Sequence, residues 1–370
     1  MNFKEFDLSS LIKLKYGKNQ KKVEDKNGKF PIFGTGGLMG YATDFLYDKP
    51  SVLIPRKGSI SNVYYQQTPF WTVDTLFYTE INENLIIPKY LYYYISRIDL
   101  NKYNEGTTIP SLRSDTLNHL KINVPPILYQ KQVLKLLSNI DNILKNNNQL
   151  NQNLESQAME LFKSIFINFN NIKNEDLIIS ENGKIPKNYN LIQLKDICKF
   201  KKGKKPKIST DQFEKGFSNY LTIDVLSGQD YLYAKDEKGV LINELDILMV
   251  MDGASSGKLF YGKDGLLGST LSKIIVNEKY REIVYQYLKY YEKYIGDNTT
   301  GTAIPHTDKG LVLNLKCPMP EDISEISHIF KTIRLKIIRN NAENEVLSKI
   351  RDTLLPRLMS GEIDVSKIEI

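Results

Sequence analysis

The sequence predicts an α+β protein: two globular units separated by two long antiparallel coiled-coil helices, the whole forming a pseudo-two-fold tandem repeat. Three observations predict it. The chain matches itself at a fixed offset, short β-type runs fill the first part of each half, and a seven-residue apolar period fills the second.

Shifted by 195 residues, Gly106-Thr107-Thr108-Ile109-Pro110 falls on Gly301-Thr302-Ala303-Ile304-Pro305, and Leu120-Lys121 with Pro125 falls on Leu315-Lys316 with Pro320. Seven of these 20 aligned positions are identical, where average composition gives roughly one or two. The same shift sets Gly58 on Gly253 after the apolar runs Val52-Leu53-Ile54 and Ile247-Leu248-Met249, and it pairs Tyr90 with Tyr285 and Tyr92 with Tyr287. A degenerate tandem duplication accounts for these matches.

Residues 1–125 and 187–318 are the two α+β units. Their β-type runs, such as Ser51-Val52-Leu53-Ile54, Thr75-Leu76-Phe77-Tyr78 and Ser272-Lys273-Ile274-Ile275-Val276, lie between Gly, Asn, Asp and Pro clusters. Each unit adds one short amphipathic helix, near 88–97 and 280–294, whose tyrosines follow a helix face and read as packing rather than as a base-stacking platform. Residues 167–186, rich in Asn, Lys and Glu, show no sustained period and read as a linker, and 359–370 as a tail.

After Pro125-Pro126 the period becomes 3.5. Val133, Ile140, Asn147, Leu154 and Leu161 recur every seven residues, with Leu136/Leu137, Ile143/Leu144, Leu150 and Ala158 in the complementary seam. This predicts a spacer helix over 126–166, about 40 residues and roughly 60 Å long. A second spacer helix, over 319–358, repeats the pattern with Ile326, Ile333, Asn340, Leu347 and Leu354, and with Ile323, Phe330 and Ile337 between them; Pro356 should limit its straight run. Asn147 and Asn340 occupy mid-seam positions where an apolar residue is more stable. In an antiparallel pair the midpoints meet and the two amides can bond each other; the alternative is that each faces a partner protein or water.

Composition narrows the class. The chain has 370 residues, 41% of them apolar, enough for two cores. No run approaches the roughly 20 apolar residues of a membrane span, and Met1-Asn2-Phe3-Lys4-Glu5 lacks a signal-peptide core, so a cytoplasmic protein without membrane contact is expected. Two cysteines and three scattered histidines provide neither a disulfide framework nor a zinc site, and no metal is expected. Fifty basic against 43 acidic residues leave +7, which permits a polyanion partner; only eight of the basic residues are arginine, a balance that suits phosphate neutralisation better than base reading.

Two globular units at the ends of a rigid helix pair would set two readers at a fixed separation on an extended partner. Double-stranded DNA, with its repeating groove, is the obvious one. At this point the residues resemble a known family, the specificity subunits of type I restriction-modification systems, along essentially the whole chain. The resemblance rests on the duplicated Gly-Thr-x-Ile-Pro turns at 106 and 301, the exits Val124-Pro125 and Met319-Pro320 and the helices after them. It also rests on Pro55-Arg56-Lys57-Gly58-Ser59, on Pro69-Phe70-Trp71-Thr72-Val73-Asp74-Thr75, and on the tail Leu354-Leu355-Pro356-Arg357-Leu358-Met359-Ser360-Gly361-Glu362-Ile363.

That resemblance implies that the globular units are target recognition domains, each reading one half of a split, asymmetric DNA site. The helices, as central and distal conserved regions, would space them and bind two adenine-methyltransferase subunits, with nuclease (restriction) subunits as further partners. S-adenosylmethionine, ATP and Mg would sit on those partners and no cofactor on this chain. Two departures stand out: His306 follows Ile-Pro where a small residue is expected, and the glutamine after the proline pair is Gln130 in the first half but has no counterpart in the second. Alternatives are the specificity subunit of a related type II-like methyltransferase or nuclease, and a coiled-coil protein scaffold.

The candidate DNA contacts follow from residue chemistry. Arg56 can engage guanine bidentately, or clamp a phosphate; Lys57 and Ser59 share its loop, and Asn62, Gln66 and Gln67 have adenine-reading amides. In the second half the matching loop is Asp252-Gly253-Ala254-Ser255-Ser256, which offers acceptors and hydroxyls, Ser255 among them. The lysine clusters Lys15, Lys18, Lys21, Lys22 and Lys199, Lys201, Lys202, Lys204, Lys205, Lys207 recur at analogous starts and suit phosphates, or simply a solvated face. Thr107, Thr108 and Thr302 would touch a phosphate or bond locally.

Catalysis by this chain is not expected. Phe33-Gly34-Thr35-Gly36-Gly37 superficially matches an S-adenosylmethionine loop, but no Asn/Asp-Pro-Pro-aromatic segment accompanies it; Gly253–Lys258 is one residue short of a phosphate loop and is followed by Leu259.

Overall fold

The computed structural model describes residues 3–365 apart from 171, 182, 229 and 302. The chain divides into two compact units, Met1–Asn146 with Asn344–Ile370, and Asn147–Glu343. Both divisions fall inside long helices, so each unit is a globular part plus segments of two helices.

In the first unit the order is β1 (Lys4–Asp7), α1 (Leu8–Leu11), β2 (Ile12–Tyr16), β3 (Phe30–Gly34), β4 (Gly37–Ala42), β5 (Ser51–Pro55), β6 (Tyr64–Gln66), β7 (Trp71–Thr72), β8 (Leu76–Ile81), α2 (Pro88–Ser96), α3 (Ser114–Asn118), β9 (Lys121–Val124) and α4 (Ile127–Phe166), of which residues 127–146 belong here. An antiparallel sheet runs β2-β8-β5-β6, a second runs β4-β3-β7, and β1 pairs with β9. Strand β5 is buried along its whole length, which is why it reads as a continuous apolar run. Its one polar side chain, Ser51, donates to Thr79 O at 2.8 Å.

The core gathers Leu8, Leu11, Val52, Ile54 and Phe77 against Tyr90, Leu91 and Tyr94 of α2, and Val133 and Leu137 of α4. Leu358, Met359 and Val365 join this core from the C-terminal segment. Tyr129 donates to Leu358 O at 2.9 Å and Ile363 O at 2.8 Å, while Asp141 of α4 meets Arg351 at 3.7 Å, so the helical segments run antiparallel. Gln130 is fully buried: its amide donates to Leu85 O (3.0 Å) and Pro125 O (2.9 Å) and accepts from the Ile87 N–H (2.8 Å), fixing where α4 starts. Pro125-Pro126 just before it lack backbone N–H groups that a first turn would leave unpaired.

The second unit contains β10 (Leu177–Ser180), β11 (Gly183–Pro186), β12 (Tyr189–Gln193), α5 (Leu194–Ile197), β13 (Cys198–Lys202), β14 (Ile208–Thr210), β15 (Ser218–Leu221), α6 (Ile223–Leu226), β16 (Tyr233–Lys235), β17 (Leu241–Ile242), β18 (Ile247–Val250), β19 (Leu259–Tyr261), β20 (Gly265–Leu267), β21 (Leu271–Val276), α7 (Glu278–Tyr290), α8 (Glu292–Asp297), α9 (Lys309–Asn314), β22 (Lys316–Pro320) and α10 (Ser324–Ser360), with the corresponding parts of α4 and α10. The sheet β13-β21-β18-β19 has the strand order of β2-β8-β5-β6, and β12–β22 matches β1–β9. In place of the three-stranded β4-β3-β7 sheet stands a five-stranded one, β14-β16-β15-β20-β17. Strand β18, like β5, is wholly buried.

Several expectations change. Residues 167–186 are not a plain linker, since they hold a 3-10 turn (Asn174–Asp176) and the β10–β11 hairpin. The helix expected over 280–294 is interrupted at Tyr291. Helix α10 continues through Pro356 to Ser360, its last turns held by the buried Leu358 and Met359.

The seam also differs. Val133 and Ile140 are buried, Leu154, Leu161, Ile326, Ile333, Leu347 and Leu354 are half-buried, and Asn340 is buried. Ile143 and Leu150 are exposed, at 41% and 40%, while Asn151 and Ala158 face inward. A seven-residue repeat leaves two candidate stripes next to the first, and α4 uses the one four residues on. The amides follow that choice. Asn340 donates to Asn151 Oδ1 (2.7 Å) and Asn151 to Asn341 Oδ1 (2.8 Å), whereas Asn147 donates to Glu343 (3.0 Å); the expected Asn147–Asn340 pair is displaced by one turn.

Candidate nucleic-acid interface

In the first unit three motifs noted separately in the sequence meet. The chain leaving β5 turns at Gly58, whose φ of +93° favours glycine. The Gly58 N–H bonds Pro110 O (2.9 Å) and the Leu112 N–H bonds Arg56 O (2.9 Å), so the Gly-Thr-x-Ile-Pro turn pins this loop through Lys57 and Ser111. At the end of β2, Tyr16 lies beneath the Arg56 guanidinium, 5.7 Å from ring centre to Cζ. Beyond it, the Trp71 indole N–H bonds Lys18 O at 2.8 Å and the Lys18 N–H bonds Thr72 O at 2.8 Å, which fixes the lysine loop.

The second unit repeats the frame. Gly253 (φ +106°) bonds Pro305 O through its N–H at 2.9 Å, the Thr307 N–H bonds Met251 O at 2.8 Å, and Asp252 pairs with His306 where Lys57 pairs with Ser111. The Gly203 N–H bonds Leu271 O (2.9 Å) and the Tyr220 hydroxyl bonds Lys204 O (3.4 Å), holding the other lysine loop.

The individual residues sit as follows. Arg56 is half-buried; its Nε donates to Asp74 O (2.7 Å) and its guanidinium lies 3.8 Å from the Asp74 carboxylate, so part of its donor fork is already engaged. Lys57, Ser59, Lys18, Lys22, Lys201, Lys204 and Thr107 are exposed, and Ser255 is half-buried. Asn62 is exposed but donates to Thr35 O (3.2 Å), Gln66 to Thr68 Oγ1 (2.6 Å), and Gln67 to Tyr65 Oη (3.2 Å). Lys15 pairs with Glu80 (3.6 Å) and Lys202 with Asp252 (2.9 Å). Thr302 lies outside the described residues.

One expectation is corrected. The Asp252 loop does not present a free carboxylate, because Lys202 and His306 occupy both its oxygens. Burial acts to raise the Asp252 carboxyl, yet these two partners outweigh it and hold its pKa below the usual carboxylate range. Sequence reading missed His306 as part of the site. The signal was the offset itself, which maps Ser111 onto it.

The catalytic look-alikes are turns between antiparallel strands: Phe33–Gly37 joins β3 to β4, and Gly253–Lys258 joins β18 to β19. Neither opens a helix, as nucleotide loops must. Burial pushes the Cys198 thiol up to about 12 and raises Cys317 as well, so neither is a ready nucleophile. Among the described residues no cluster of three or more His, Cys, Asp or Glu could hold a metal, and no helix is long and apolar enough to cross a membrane.

The long helices expose apolar side chains away from the seam. In the first unit these are Leu128, Ile143, Val346 and Ile350; in the second they are Leu150, Ile329 and Leu335. The second unit also has a groove of about 620 Å³ between α4 and α7, lined by Glu155, Met159, Lys163, Tyr285, Lys289 and Tyr290, among others.

Comparison with known proteins turns this geometry into an identity. The family profile described as type I restriction modification DNA specificity domain matches residues 1–156 and 186–349. The chain belongs to this family. A type I restriction enzyme specificity subunit of Methanocaldococcus jannaschii, MjaIX, is 27% identical over 348 residues, covering 87% of this chain and 80% of that one. The HindI specificity subunit of Haemophilus influenzae is 22% identical, covering 77% of this chain and 79% of that one. The crystal structure of a type I restriction-modification S subunit from M. genitalium shares the fold with a TM-score of 0.62 at 22% identity, covering 97% and 96% of the two chains. This specificity subunit is therefore the DNA-recognition component of a type I restriction-modification system and not its catalyst.

Proposed function

We propose that this specificity subunit reads a bipartite, asymmetric DNA site, one half with each globular unit. The observation that carries this is the duplicated frame: a loop after a buried strand, pinned by the Gly-Thr-x-Ile-Pro turn, with different side chains on it in the two units. A common frame with unlike side chains suits two readers of unlike sequence. The lysine loops beside each frame supply phosphate contacts, and Arg56 the base contact of the first half-site.

The long helices act as an antiparallel coiled-coil spacer in a tandem-repeat architecture, a reading supported by the opposed pairs Tyr129–Leu358 and Asp141–Arg351 in one unit and Asn147–Glu343 and Asn151–Asn340 in the other. Their exposed apolar residues suit two methyltransferase subunits, with restriction subunits joining the complex. S-adenosylmethionine, ATP and Mg belong to those partners.

The test is DNA binding by the complex with its methyltransferase. Replacing Lys201 and Lys204 with Ala, which leaves the Lys202–Asp252 tie in place, is expected to weaken all duplexes alike and flatten the salt slope by about two. Arg56→Ala is expected to cost roughly 1–3 kcal/mol on cognate sites only. Uniform loss in the Arg56 variant would reduce that residue to a phosphate clamp, and an unchanged salt slope in the lysine variant would remove the interface from this end of the unit.

A further inference from the structure

We infer that His306 is a specificity-determining residue of the second unit, its Nε2 accepting a hydrogen bond from the exocyclic amino group of a base in the second half-site. The inference rests on the reading that the pinned loops face DNA.

The ring is held on three sides. Its backbone is locked to Thr300, with the His306 N–H on Thr300 O at 2.7 Å and the Thr300 N–H on His306 O at 2.8 Å. Nδ1 lies 2.8 Å from Asp252 Oδ1. Cδ2 lies 3.0 Å from where a Cβ on Gly301 would stand, so the glycine leaves the ring its space. Half of the side chain remains exposed, and among the described residues nothing bonds Nε2.

The partners decide the chemistry. Asp252 is kept ionised by Lys202, 2.9 Å from its other oxygen, and an ionised carboxylate only accepts. Nδ1 must therefore carry the proton, and in the neutral ring Nε2 is an acceptor. A phosphate has only acceptors to offer and would stand near the Asp252 carboxylate. In the major groove the donors are adenine N6 and cytosine N4, so a base edge is the matching ligand. Ser111, the counterpart in the first unit, has no ring to hold this way.

The experiment maps methylated sites with the complete complex, on a randomised duplex library at pH 8. His306→Ser is expected to relax selectivity about tenfold at one base pair of the second half-site, leaving the first half-site unchanged. His306→Gln, which keeps an acceptor, is expected to retain part of that preference. Asp252→Asn, whose amide can accept as well as donate, should loosen the same position, because Nδ1 is no longer forced to carry the proton. An unchanged motif in His306→Ser, or loss spread equally over all sequences, overturns the assignment. The lysine variants above separate the two levels. If they lower the salt slope while His306→Ser leaves the motif intact, only this inference fails; if they too have no effect, the placement of the interface fails with it.

Discussion

The two units hold one backbone device with opposite side-chain polarity. In the first, the loop after β5 carries Arg56 and Lys57 against Ser111; in the second, the loop after β18 carries Asp252 between Lys202 and His306. The helix anchors are inverted in the same way. In the first unit Asp141 of α4 accepts from the Tyr93 hydroxyl and lies 3.3 Å from Lys89, burial and then Asp141 raising the Tyr93 phenol. In the second, Arg334 of α10 stacks 3.4 Å over Tyr261, whose hydroxyl bonds the buried Glu282 at 2.7 Å. Hydrogen-bond geometry is shared while charge differs, so one backbone arrangement holds two unlike surfaces.

Arg334→Ala should break this comparison most strongly. It removes the cation that most offsets the burial of Glu282 (3% exposed), ahead of Arg281 and Lys331, and unstacks Tyr261, and is expected to cost about 3 kcal/mol in the second unit. Trp71, the chain's one tryptophan, lies in the first unit, so its fluorescence transition in urea should stay put while hydrogen exchange in α7 accelerates.

Gln130→Ala is the converse. Removing the amide strands three backbone groups, Leu85 O and the Ile87 N–H just before α2 and Pro125 O before α4, and a loss of about 2 kcal/mol is expected, visible in Trp71 fluorescence and absent from α7 exchange. Equal shifts in both probes would mean that the units unfold as one.

The smallest effect is acid sensitivity. Asp252 has a depressed folded pKa, so its tie to Lys202 and His306 is fully present above the unfolded carboxylate value and is lost as pH falls below it. As pH falls below the ordinary carboxylate range, the amide signals of Asp252–Gly253 and His306 should shift more than those of Lys57–Gly58 and Ser111, whose loop meets a carboxylate only through the 3.8 Å contact of Arg56 with Asp74.

Much of the fold was legible because it is local. The prolines at 125–126 and the seven-residue period bracket a helix found at Ile127–Phe166, and the continuous apolar runs at 51 and 247 are the buried strands β5 and β18. What was hidden depends on partners distant in sequence. Ile143 and Leu150 satisfy a seam pattern yet stay exposed, because the stripe that α4 buries is chosen by what packs on it. The Asp252–His306 contact joins residues 54 apart, and neither loop alone discloses that the carboxylate is occupied. The hairpin in 167–186 escaped because Leu177–Ser180 and Gly183–Pro186 are four residues each, too short for a period to register.

The C-terminal segment is sewn into the unit farthest from it in sequence. Val365 is fully buried there, and Phe3 stacks edge-on against Tyr129, whose hydroxyl caps Ile363. A premature stop codon after residue 343 would spare every residue assigned to the second unit but strip the first of Leu358, Met359 and Val365. Lesions in residues 344–370 should therefore unsettle the unit built mostly from the first 146 residues.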